Sequence, residues 1–101
     1  MLLDPENGLY VFEVVLGYKA GNDPQYTVPY ILQAHDEEEA EEKTLKYLEA
    51  WGVSDDFWIE DLSEPVTLLE FQHMLEENGD QARILLGDLT GDDLRALLEA
   101  S

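Results

Sequence analysis

Residues 9–34 read LYVFEVVLGYKAGNDPQYTVPYILQA, and their pattern is that of a β-hairpin. Tyr10, Phe12, Val14, Leu16 and Tyr18 alternate onto one face of a first strand spanning 9–19. The opposite face carries Leu9, Val11, Glu13 and Val15, so this strand is apolar on both sides, as a central strand covered on both faces is. Gly21, Asn22, Asp23 and Pro24 form a turn cluster. A returning strand over 26–34 then places Tyr26, Val28, Tyr30 and Leu32 toward the core, and Pro29 marks it as an edge strand because proline lacks an N–H to donate.

Working outward, Asp36 is the N-cap of a helix reaching Trp51, with Glu39 in the capping-box position. Glu37, Glu38 and Glu39 set negative charge against the positive end of its dipole. Ala40, Thr44, Tyr47, Leu48 and Trp51 follow its inner stripe, Glu39–Lys43 and Glu42–Lys46 are i,i+4 pairs, and Gly52 stops it. FWIEDL, 57–62, is a third strand that ends at Ser63-Glu64-Pro65. Thr67 opens a second helix with Glu70 in capping-box position and Leu68, Phe71, Met74 and Leu75 as its apolar face. Asn78-Gly79 ends it, residues 80–86 suggest a short helix stopped at Gly87, and Thr90 caps a last helix from Gly91 to Ala100 with Leu94, Leu97 and Leu98 on one side.

This order predicts one α+β domain over 1–101. A ββαβ unit (1–66) forms a three-stranded sheet of order 2-1-3, because a right-handed crossover makes the second and third strands parallel and leaves the first between them. A helical extension (67–101) of two to three helices packs on that unit. The first helix covers one sheet face. The C-terminal helices cover part of the other through Val11, Val15 and Ile31, or that face meets a second copy, making a homodimer.

Charge is the dominant compositional feature: 24 acids against 5 Lys and Arg, a formal net charge of −19. Residues 36–101 hold twenty of the acids and four of the basic residues. Such a surface repels nucleic-acid phosphates and anionic membranes, so neither is an expected partner. The absence of cysteine excludes disulfides, thiolate metal sites and cysteine nucleophiles. The start, MLLDPE, lacks the basic and long apolar regions of a secretory signal, and a cytoplasmic location is expected.

Catalytic and metal signatures are weak. His35 and His73 lack HExxH or comparable spacing. Asp88, Thr90, Asp92 and Glu99 have partial calcium-loop spacing, but Asp93 stands where that loop needs glycine. Adjacent acids are those of solvated turns, and no GxSxG or glycine-rich phosphate loop is present. No cofactor and no enzymatic activity are expected. The favoured function is a small interaction or regulatory module that docks a basic protein through Glu38, Glu41, Glu42, Asp55, Asp56, Trp58, Glu60 and Asp61. Trp51, Phe57 and Trp58 serve either as core anchors or as an aromatic–acidic grip for Arg or Lys. Two alternatives stand beside it. The acids on the first helix could imitate the charge density of DNA and inhibit a nucleic-acid-binding protein. Or the acidity reflects a salt-adapted host, with the chain acting as a homodimer or small-ligand binder.

Overall fold

The computed structural model describes residues 8–77 and 84–99. Its elements run β1 (Tyr10–Ala20), β2 (Asp23–Tyr26), β3 (Tyr30–Ala34), α1 (Glu37–Ala50), β4 (Phe57–Leu62), α2 (Leu68–Glu77), β5 (Ile84–Leu85), a 3-10 turn (Leu86–Asp88) and α3 (Gly91–Glu99). The fold is α+β with a mixed five-stranded sheet.

β1 is the central strand. It pairs antiparallel with β2 and β3 along one side and antiparallel with β4 along the other. The hairpin strands and β4 thus flank β1 as the crossover argument requires. Two features differ from the expected three strands. The returning strand is divided into β2 and β3, and β5 adds a parallel pair at Tyr30–Ile84 and Ile31–Leu85. The strand carrying Tyr30 is therefore not a free edge along those residues. Ile84 and Leu85, expected in a helix over 80–86, are strand, and Leu86 begins the 3-10 turn; residues 80–83 lie outside those described.

The division of the returning strand has a defined cause. Gly17 pairs with Tyr26, but Val14 pairs with Tyr30, so one extra residue is inserted between the two ladders. Thr27 supplies the substitute contacts: its N–H donates to Leu16 O at 2.9 Å, and its Oγ1 accepts from Leu16 N at 3.0 Å. Pro29 falls in the interruption, where no donor is required. Because side chains alternate with period two, a one-residue slip moves Tyr26 to the opposite face from Tyr30. Tyr26 and Val28, expected in the core, are accordingly exposed.

The larger core lies on one face of the sheet. Phe12, Val14, Leu16, Tyr30 and Leu32 meet Ala40 and Leu48 of α1, together with Val53, Phe57, Leu86 and Leu94. Both α1 and α3 belong to this face. The second face holds a smaller cluster in which Phe71 of α2 packs on Val11 and Ile31. The expectation that the C-terminal helices share the second face is therefore corrected: α2 lies there, and α3 joins α1.

The helix ends are fixed by local chemistry. Asp36 accepts the Glu39 N–H at 2.7 Å, and Thr67 accepts that of Glu70 at 3.1 Å. Thr90 and Asp93 cap α3 reciprocally: Thr90 N–H donates to Asp93 Oδ2 at 2.8 Å, and Asp93 N–H to Thr90 Oγ1 at 3.3 Å. At the end of α1, Gly52 has φ +72°, which lets its N–H reach Glu49 O and that of Val53 reach Leu48 O. This is the paired closure of a Schellman motif, with Val53 and Leu48 both buried. Arg95 of α3 then donates from Nη2 to Trp51 O at 2.7 Å, placing a cation at the negative end of α1.

Candidate functional site

The eight predicted docking residues do not form one patch. Glu38, Glu41 and Glu42 are exposed on α1, away from the buried stripe of Ala40, Thr44 and Leu48. Leu45, also exposed, lies one turn beyond Glu41 and Glu42. Asp55 and Asp56 are exposed in the turn closed by the Asp56 and Phe57 N–H groups on Val53 O. Trp58, Glu60 and Asp61 belong to β4. Trp58 pairs with Gly17, and Asp61 with Val15, which places both on the second sheet face. The helix acids and the β4 group thus lie on opposite sides of the sheet.

β4 turns its aromatic residues to different tasks. Phe57 enters the larger core and packs tilted against Tyr18 with ring centroids 5.3 Å apart. Trp58 points the other way and lies on Gly17; a Cβ at that position would overlap the indole. The indole Nε1 donates to Glu60 Oε2 at 2.7 Å. The register between β1 and β4 shifts after Val15 and accommodates Glu60 as an extra residue, leaving both Glu60 and Asp61 exposed. Trp51 is half-buried and stacks on Tyr47 with centroids 5.2 Å apart.

The same register brings Tyr26, Gly17 and Trp58 into one row across β2, β1 and β4. Among the described residues, α2 packs on the second face only around Val11 and Ile31. The half containing this row is thus open, with Tyr26 54% exposed and Trp58 partly buried. Tyr26 was missed as a surface residue. Pro29 marks the break in the strand but not the direction in which Tyr26 faces, which the register change sets.

The two histidines are engaged separately. His35 Nδ1 lies 2.9 Å from Glu39 Oε2, and His73 Nδ1 lies 3.9 Å from Glu76. Glu39 also accepts Lys43 Nζ at 3.1 Å. The His35 hydrogen bond, then the Lys43 bond, pull the Glu39 carboxyl down to about 2. Among the described residues, no group of three or more His, Asp or Glu is gathered to hold a metal, and no helix is long and apolar enough to cross a membrane.

A cleft of about 640 Å³ opens between α1 and the β5 segment, lined by Leu32, Lys43, Lys46, Tyr47, Leu85 and Asp88 among others. Lys46 makes no ion pair with Glu42, contrary to the i,i+4 expectation, and lines this cleft instead.

No protein-family model, curated protein or solved structure matches the chain.

Proposed function

We propose that the chain is a non-enzymatic interaction module that docks a basic protein on the open half of its second sheet face. The observation that supports this is the row Tyr26–Gly17–Trp58, with Glu60 bonded to the indole and Asp61 beside it. An arginine or lysine stem can lie along an aromatic ring while its charged head meets a carboxylate, and aromatic anchors of this kind dominate binding energy at interfaces. The backbone of β1 and β4 holds the group in place, so little ordering entropy is lost when a partner binds. In this reading Glu38, Glu41 and Glu42 contribute long-range attraction and not contact, because they lie on the other side of the sheet.

The test compares two variants as immobilised baits for basic proteins from the native host, eluted along a salt gradient. One is W58A/E60Q/D61N; the other is E38Q/E41Q/E42Q. The expected result is loss of the retained basic protein from the first and retention at somewhat lower salt by the second. Equal retention by both, or loss from the helix variant alone, would overturn the assignment of this face. Competition of the captured protein by duplex DNA would move the reading to a DNA mimic.

A further inference from the structure

We infer that the cleft between α1 and β5 is a binding site for a small amphipathic carboxylate, with Lys46 and Tyr47 receiving the head group. This site is separate from the docking face and does not depend on it.

Basic residues outnumber acids in the described lining of the cleft, against the balance of the chain. Acids outnumber basic residues 24 to 5 in the sequence, yet the cleft is lined by Lys43 and Lys46 against Asp88 as its one acid among the described residues. Lys43 is already committed: its Nζ donates to Gln33 O at 3.0 Å and lies 3.1 Å from Glu39. Lys46 is not. Glu42 stands one turn before it, in the favourable orientation for a pair, but no carboxylate of the described residues is within ion-pair distance of its ammonium. Tyr47, the next residue, also lines the cleft, and its hydroxyl lies against Gly87, where a Cβ would come within 2.9 Å of Oη. That hydroxyl has no hydrogen-bond partner among the described residues. Two uncommitted donors therefore line one concave surface.

Leu9, Leu32 and Leu85 supply aliphatic surface, and Gln33 adds a polar group to the lining. A hydrophobic recess of several hundred Å³ carrying a few polar groups is the usual form of a small-molecule site. The donors select an acceptor-only anionic head, and the leucines an aliphatic tail. A carboxylate accepts from both an ammonium and a hydroxyl, and charge-assisted bonds of this kind are the stronger ones. Overall charge argues the other way, since a net −19 attracts cations. The preference for an anion must therefore come from Lys46 and Tyr47 themselves.

The experiment is a titration of the full chain with sodium octanoate, followed by ¹H–¹⁵N correlation spectra. Octyltrimethylammonium, with the same tail and the opposite head, is the control. Saturable octanoate binding is expected, with shifts confined to the neighbourhood of Leu32, Tyr47, Leu85 and Gly87. Lys46→Gln, an exposed substitution, is expected to weaken it about tenfold, the value of one charge-assisted bond, and Tyr47→Phe by a smaller factor. Absence of octanoate binding below about 10 mM, an unchanged affinity in Lys46→Gln, or equal or tighter binding of the ammonium analogue would each overturn the assignment.

Discussion

A methyl group at Gly17 would collide with the Trp58 indole, so this glycine is a contact surface rather than a flexible joint. Gly17→Ala is expected to displace the ring, break its hydrogen bond to Glu60 and destabilise the fold by about 1–3 kcal/mol, the range for overpacking a filled site. Urea unfolding, read beside the tryptophan emission maximum, measures both effects. Glu39 gives a second prediction. Its carboxyl titrates at about 2 in the folded chain against an ordinary value of 4.5, so its contribution to stability is complete above 4.5 and disappears as pH falls toward 2. In Glu39→Gln the fall in urea midpoint between those pH values should be shallower than in the parent; an identical slope would mean that the His35 and Lys43 contacts add nothing to folded stability. At this scale the caps were legible. Asp36 with Glu39, and Thr67 with Glu70, are satisfied within three residues, and such bonds depend on nothing distant. Tyr26 and Lys46 were not legible. One is turned outward by a slip in pairing, and the other is turned toward a cleft whose far wall, Leu85, is 39 positions along the chain.

At the scale of elements, α2 and α3 are attached differently. α2 is held by one fully buried side chain, Phe71, on a small cluster. Phe71→Ala should cost about 3–5 kcal/mol, with amide exchange accelerated first over 68–77 while β1 and β3 keep their protection. α3 inserts Leu94 into the same core as α1 and ties Trp51 O through Arg95. Truncation before Gly91 should therefore lower the protection of the whole sheet and not only of its own end. A truncated chain with unchanged exchange in β1 would contradict this. The apolar stripe of Leu94, Leu97 and Leu98 announced that α3 packs, but an amphipathic pattern does not say which side of a sheet receives it. β5 was illegible for a related reason. Ile84 and Leu85 are two apolar residues with no period of their own, and their state is set by Tyr30 and Ile31, 54 positions earlier.

For the whole molecule, the acids raise the energy of the compact state by mutual repulsion, which salt screens. The melting temperature should rise steadily between about 10 mM and about 0.5 M sodium chloride, where the Debye length shortens from about 30 Å to a few ångströms. A flat profile would show that the 24 acids are spaced so that repulsion is already small. The same repulsion opposes a homodimer built on the open sheet face, and sedimentation across that salt range would reveal any association. The α+β class and the position of β1 between the hairpin and β4 were readable from the two-sided apolar pattern of residues 9–19. The closing of the other side of the sheet by β5 was not.

That central position of β1 also sets how the chain can fold. Its partners in β2 and β3 are close in sequence, with Ala20 and Asp23 only three residues apart, whereas Tyr18 meets Phe57 and Val14 meets Leu62 across some forty to fifty residues. Loop-closure entropy favours early formation of the hairpin, and the β4 pairing, which closes a longer loop, is expected to follow with α1. Substitutions in the turn at Gly21–Asn22 should then act mainly on the folding arm of the chevron, and substitutions in β5 mainly on the unfolding arm.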